Sequence, residues 1–152
     1  MSQSTIFKYS ILIATTAVSY CWNTTGINVA GITSSSGVAS NQLNSPYGII
    51  FDSSNSLFIA DEVNNRIQKW SSGGSSGTTV AGFANGNAGT GGVTSVDGLF
   101  VPRDLAVDSN GNLYIVDTGY QRVVYWPNGG STCIIVAGQG REPLKSVKNM
   151  QF

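Results

Sequence analysis

The sequence contains no histidine among its 152 residues, and charged side chains make up only 11% of it. Histidine is the commonest general base and the commonest metal ligand, so its absence disfavours zinc chemistry and histidine-dependent hydrolysis. Eight basic residues balance eight acidic ones, and no basic stripe of the kind that nucleic-acid binding needs is formed. No apolar run is long enough for a membrane-spanning helix. The sequence therefore predicts a protein without a cofactor, without bound nucleic acid and without a membrane span.

Cysteine is also scarce, with two residues, Cys21 and Cys133. Their spacing matches no zinc or redox motif. Two interpretations stay open. The two thiols are unrelated, or the protein is secreted and they form disulfides, with each other or with cysteines outside this chain.

The first 19 residues resemble a secretory signal peptide. Lys8 precedes a short apolar stretch at 9–18, and Ala17-Val18-Ser19 fits a small-x-small cleavage site. Asn23 then begins an Asn-Thr-Thr sequon and is a candidate glycosylation site. A secreted, extracellular protein is the favoured expectation. The alternative is that the same apolar stretch forms strands of an earlier repeat, which would fit a cytoplasmic protein.

One stretch of the sequence occurs twice, at residues 46–70 and 102–126, with a spacing of 56 residues. Self-similarity at a fixed period of this size indicates a repeat architecture. The matching pairs are Pro46 and Pro102, Asp52 and Asp108, Asp61 and Asp117, Arg66 and Arg122, and Trp70 and Trp126.

Each copy predicts four short antiparallel strands separated by polar turns. They lie at 48–51 in the first copy, at 57–60 and 113–116, at 66–70 and 122–126, and at 78–81 and 133–137. The first two strands are apolar on both sides, so both faces of each sheet are expected to be covered. Four-stranded sheets stacked face to face around an axis form a β-propeller. The predicted fold class is all-β, an incomplete β-propeller of four-stranded antiparallel blades.

The motif residues resemble the NHL repeat. The first copy has Phe-Ile-Ala-Asp at 58–61 and Asn-Arg-Ile-Gln-Lys-Trp at 65–70, and the second has Tyr-Ile-Val-Asp at 114–117 and Gln-Arg-Val at 121–123. The resemblance covers roughly residues 22–152 and implies NHL-type blades in a ring with more blades than this chain holds. The remaining blades would come from a longer chain or from self-association.

The resemblance divides the chain into units. Residues 20–31 would end a preceding blade, 32–82 form NHL repeat 1, 83–138 form NHL repeat 2, and 139–152 are a linker into a further blade.

The recurring polar and aromatic residues are predicted to build the blades. An active site rarely needs the same pair in every blade, so the two Asp–Arg pairs are interpreted as structural bonds across a turn. The two tryptophans are interpreted as packing at blade edges. These structural repeat residues are Asp61, Arg66, Trp70, Asp117, Arg122 and Trp126.

Residues 108–112, Asp-Ser-Asn-Gly-Asn, superficially resemble a calcium loop. A full loop also needs a bidentate Glu at its end, and an apolar strand intervenes here. The segment is therefore predicted to be a turn.

Loops carry function on rigid scaffolds more often than strands do. The candidate interaction residues lie in the loops between second and third strands: Glu62, Asn64, Asn65, Tyr120 and Gln121. The leading prediction is a non-catalytic NHL propeller segment, not an enzyme, that mediates interaction with a protein, a glycan or another macromolecule. One alternative is the substrate- or RNA-binding propeller of a tripartite-motif-type ubiquitin ligase. Another is a fragment of a metal-dependent propeller lyase or lactonase.

Overall fold

The computed structural model describes residues 26–89 and 96–138 and contains two four-stranded antiparallel sheets. The first sheet consists of β1 (Pro46–Phe51), β2 (Leu57–Asp61), β3 (Arg66–Trp70) and β4 (Thr78–Gly82). The second consists of β5 (Pro102–Val107), β6 (Leu113–Asp117), β7 (Arg122–Trp126) and β8 (Ile134–Ala137). The all-β prediction is confirmed, and each predicted strand lies within two residues of the observed one.

Strands in both sheets follow their order in the sequence, and the two sheets share one register. Asp61 pairs with Arg66 as Asp117 pairs with Arg122. The third and fourth strands of both sheets carry an irregularity at the same repeat position. The 56-residue repeat is therefore a repeat of backbone geometry as well as of sequence.

The polar turn after β5 is held by Asp108. Its Oδ1 accepts hydrogen bonds from the backbone N–H groups of Asn110 and Asn112, both at 2.9 Å, and its Oδ2 accepts one from the Asn112 side chain at 2.8 Å. That side-chain bond is the main cause that lowers the pKa of Asp108. Asp52 Oδ1 accepts the corresponding backbone bonds in the first sheet. The predicted turn is confirmed, and its carboxylates serve the chain's own backbone.

The main core lies between the two sheets. Phe58, Ala60 and Ile67 of the first sheet belong to one buried cluster with Leu105 and Ile115 of the second. The sheets approach each other most closely along β1 and β5. A Cβ on Gly48 would lie 2.6 Å from the carbonyl oxygen of Arg103, so only glycine fits at this close approach.

The expectation that both faces of each sheet are covered is correct for β2, which is buried along its whole length, and for β3, in which four of five residues are buried. In β6, buried and exposed residues alternate, and Tyr114 and Val116 remain 42% and 39% exposed. On β1, Ile49 and Phe51 are 61% and 53% exposed. Among the described residues each sheet is thus fully covered only on the side that faces the other sheet.

The segment at 26–31 was expected to include a strand of a preceding blade, and this is wrong for the described residues. No strand is formed there, and Ile27 and Val29 are 83% and 69% exposed. A strand requires a hydrogen-bonded neighbour, and in the described part of the chain none lies beside this segment. Segment 30–43 instead supplies Ala30 and Leu43, which pack against the first sheet.

Gly82 ends β4 with a φ of +78°, and a Cβ there would press on the backbone of Asn65 and Arg66. Gly73 has a similar φ of +73°, but nothing lies within 4 Å of its Cβ position. We expect Gly73→Ala to cost about 1 kcal/mol from left-handed strain alone. Gly82→Ala should cost at least about 1 kcal/mol more, because backbone atoms must move. Urea unfolding of the two variants measures the difference, and equal costs would contradict the close approach.

Candidate functional site: the linker edge

The loops between second and third strands lie at the same edge as the segments that connect the sheets. Pro46 at the start of β1 pairs with Asp61 at the end of β2, and Arg66 at the start of β3 pairs with Gly82 at the end of β4. The second sheet has the same arrangement. We call this side, formed by residues 37–47, 62–65, 83–89, 96–103 and 118–121, the linker edge.

A buried ion pair fastens the linker edge to the first sheet. Arg66 Nε donates to Asp61 Oδ2 at 2.8 Å, and the two side chains are 1% and 0% exposed. The other guanidinium nitrogens donate to part-buried backbone carbonyls of the linkers, which would otherwise lack these donors. The acceptors are the carbonyl oxygens of Val38, Ala39, Gln42 and Ala84, at 2.6 to 3.1 Å.

The carboxylate of this pair is also fully engaged. Asp61 Oδ1 accepts the backbone N–H of Asn44 at 2.7 Å, and Oδ2 accepts Asn64 Nδ2 at 2.9 Å besides Arg66. We call this pair the latch, because it holds the linker against the sheet. Both of its charged groups are occupied by hydrogen bonds within the protein.

The second sheet repeats the latch. Asp117 accepts the backbone N–H of Phe100 at 2.7 Å and Arg122 Nε at 2.8 Å, and Arg122 also donates to the carbonyl of Gly98 at 3.0 Å. Burial raises the pKa of Asp117, while the bonds from Phe100 and Arg122 act in the opposite direction. A carboxylate enclosed in this way has no open side for a ligand.

Two of the predicted interaction residues, Asn64 and Asn65, hold the linkers in place. Asn64 is 3% exposed and donates to the Gly37 carbonyl at 2.7 Å. Asn65, at a φ of 51°, donates to the Gly86 carbonyl at 3.0 Å and accepts the Val101 N–H at 2.9 Å. Asn64 is therefore not available to a partner, and the amide of Asn65 is occupied on both sides.

Tyr120 is also buried, contrary to its predicted role as a surface contact. It lies in a three-residue 3-10 turn, Thr118–Tyr120, and its hydroxyl donates to the Gly89 carbonyl. Its ring lies 5.3 Å from the Phe100 ring and 4.9 Å from the Arg122 guanidinium carbon. Burial raises the pKa of Tyr120. Gln121, the next residue, is exposed at a φ of 54°.

Glu62, the remaining predicted residue, belongs to a surface cluster with Tyr47 and Arg103. Arg103 Nε donates to Glu62 Oε1 at 2.8 Å, and its guanidinium carbon lies 5.5 Å from the centre of the Tyr47 ring. The Arg103 side chain is 48% exposed and Tyr47 is 68% exposed. The cluster joins the two sheets at the linker edge and presents an aromatic ring and a cation to solvent, while the Glu62 side chain is only 14% exposed.

Sequence reasoning missed Tyr47 and Arg103, although a signal for them exists. They occupy the same repeat position, 56 residues apart, and follow the matching Pro46 and Pro102. One copy has Tyr where the other has Arg, and positions where the copies differ are those that the common fold does not dictate.

The other predicted residues divide between the core and the undescribed segments. Trp70 and Trp126 are each 2% exposed, and Trp126 Nε1 donates to the Gly130 carbonyl at 2.8 Å. Cys133 is a buried free thiol whose pKa is raised by burial, so it stays protonated at neutral pH. Cys21, Asn23, the apolar segment at 1–19 and the predicted linker at 139–152 lie outside the described residues.

Within residues 26–89 and 96–138, no three acidic, histidine or cysteine side chains come together in a way that would hold a metal ion. The same ranges contain no helix with the length and hydropathy needed to span a membrane. Comparison with protein-family models finds no match, and no curated protein matches the chain.

Proposed function

We propose that the chain is part of an NHL-type β-propeller that binds other macromolecules through its linker edge and catalyses no reaction. The propeller architecture is supported by the two sheets of one register, which stack face to face and approach most closely along their first strands. Blades of a propeller are four-stranded sheets set around a central channel, so sheets that approach each other most closely along one strand support this proposal.

The cluster of Tyr47, Arg103 and Glu62 is the observation that carries the binding proposal. Tyrosine and arginine are enriched at protein interfaces and among the residues that dominate binding energy. Glu62 and the Tyr47 ring hold the Arg103 side chain, so part of the entropy that binding would remove is already lost. A peptide or protein segment with a carboxylate beside an aromatic or apolar side chain fits this surface.

The proposed absence of catalysis is supported by where the acids lie. Asp61 and Asp117 are consumed by the latches, and Asp108 and Asp52 by the turns of their own sheets. A general acid or base must instead reach a substrate within hydrogen-bond distance. These four carboxylates are therefore not free for acid–base catalysis.

Panning a displayed random-peptide library against the immobilised protein tests the proposal. We expect enriched peptides whose binding weakens by about 30-fold or more in the Tyr47→Ser/Arg103→Ser double variant, since hot-spot residues contribute about 2 kcal/mol. A Ser53→Ala/Ser54→Ala variant, altered in the exposed turn at the opposite edge, should bind like the wild type.

Three outcomes would contradict the proposal. The first is an absence of any enriched peptide, and the second is equal binding by the cluster variant. The third is a different activity of the purified protein, either specific retention of RNA at moderate salt or metal-dependent hydrolysis of a lactone.

A further inference from the structure

The outer face of the second sheet is an uncovered apolar surface. Its exposed members alternate with buried residues along β6 and with half-buried residues along β8, so they share one side of the sheet. They are Tyr114, Val116, Ile134 and Val136, which are 42%, 39%, 61% and 44% exposed. Exposed apolar groups in such a contiguous arrangement commonly mark interaction surfaces.

The first sheet shows what covers this face. Tyr114 and Val116 occupy the repeat positions of Phe58 and Ala60, which are 3% and 0% exposed because the second sheet packs on them. Val136 likewise corresponds to Val80, which packs against the same cluster. Within the chain, this kind of face packs against the inner side of the second sheet. The outer face of the second sheet should therefore fit another sheet whose surface resembles that inner side.

The outer face of the first sheet has that character. Ile49 and Phe51, 61% and 53% exposed, occupy the repeat positions of Leu105 and Val107, which pack in the core between the sheets. The chain thus displays an open copy of each side of its own sheet–sheet contact along β6 and along β1. Elsewhere on the outer face of the first sheet, Leu57, Ile59 and Trp70 are buried, with Ala30 and Leu43 packed against them.

The segment before the first sheet is already arranged as the linker before the second. The Gly77 N–H donates to the Ser40 carbonyl at 2.7 Å, as the Cys133 N–H donates to the Val96 carbonyl at 2.7 Å. Ser45 has a φ of 52°, and its repeat equivalent Val101 has a φ of 55°. At Ser40 and Ser45 the segment therefore already has the geometry that the second linker has where it meets a neighbouring sheet.

A polar contact would set the register. Within the chain, Asn65 Oδ1 accepts the Val101 N–H at 2.9 Å, where the second sheet begins. The equivalent of Asn65 is Gln121, which is exposed beside an open depression of about 300 Å³ at the outer face of the second sheet. Ser45, at the start of the first sheet, is the repeat equivalent of Val101. In a docked copy it would therefore lie at this depression, beside Gln121.

We propose that the outer face of the second sheet binds the outer face of the first sheet of a second copy of this chain, head to tail. The chain has no net charge, so copies do not repel one another over long range. Such a contact uses different surfaces on the two copies, and its repetition builds a closed ring or an open filament. The contact follows from the repeat geometry and is independent of ligand binding at the linker edge.

Two charge-introducing variants test the contact by sedimentation velocity. Val116→Lys blocks the outer face of the second sheet, and Ile49→Lys blocks that of the first; both side chains are exposed, so each variant should fold. We expect the wild type to assemble as concentration rises and each variant alone to stay monomeric. The equimolar mixture should form a 1:1 dimer, because each variant keeps the face that the other has lost.

Ser53→Lys is the matched control, since it adds the same charge in an exposed turn outside both faces and should assemble like the wild type. A wild type that stays monomeric at all concentrations, or a mixture that stays monomeric, would overturn the proposal. Variants that still dimerise alone would indicate a two-fold contact instead and would also overturn it. Should circular dichroism show that either variant is unfolded, Tyr114→Glu and Phe51→Glu replace the pair with the same expected outcomes.

Discussion

Replacing Arg66 by alanine should lower the free energy of unfolding by about 3–5 kcal/mol, the largest effect that we expect from any single change. The substitution leaves the buried Asp61 carboxylate without its cation, and an uncompensated buried charge costs this much. It also removes the hydrogen bonds to linker carbonyls, which are part-buried and lose their donor. Urea unfolding monitored by tryptophan fluorescence measures the loss.

Arg66→Lys and Lys69→Ala are the controls for this prediction. Lysine lacks the planar fork that reaches several acceptors at once, so Arg66→Lys should recover only part of the loss. Lys69 pairs with Asp52 at 3.3 Å near the surface, and removing it should cost about 1 kcal/mol or less. The latch would have no special role if Arg66→Ala and Lys69→Ala cost the same.

Leu99→Ala should cost about 2–5 kcal/mol. Leu99 belongs to the linker, is 0% exposed and packs in the core between the sheets, where truncation leaves a cavity. Its repeat equivalent Leu43 packs against the first sheet but is only partly buried. Leu43→Ala should therefore cost less than half as much, because water already reaches part of the side chain.

This comparison needs a concentration at which sedimentation shows only monomer. Equal costs for Leu99→Ala and Leu43→Ala in the monomer would mean that the outer side of the first sheet is as closed as the core between the sheets. At concentrations where copies associate head to tail, the cost of Leu43→Ala should rise towards that of Leu99→Ala.

The strands and turns could be predicted from the sequence because their determinants are local. Asp108 and the two asparagines that it holds lie within five residues, and each strand pairs with its neighbour in the sequence. The repeat strengthens the prediction, because the local sequence signals at 46–70 occur a second time at 102–126. The register and the structural use of Asp61 and Arg66 follow from the same recurrence.

The surface of the linker edge could not be predicted in this way, because it depends on contacts between distant residues. Asn64 donates a hydrogen bond to the carbonyl of Gly37, 27 residues away in the sequence, and Glu62 accepts one from Arg103, 41 residues away. A polar residue in a predicted loop gives no sign of whether a linker will fold over it. The uncovered faces of β1 and β6 were missed for a similar reason, since an apolar strand does not reveal which of its sides has a partner.

The latch has a consequence for how such a protein can grow by gene duplication. Apart from the Ala84 carbonyl, its parts all lie between Val38 and Arg66, which is shorter than the 56-residue period. Copying one period therefore transfers donor, carboxylate and linker carbonyls together. A new unit inherits a complete device for fastening its own linker, and the ancestral unit loses nothing.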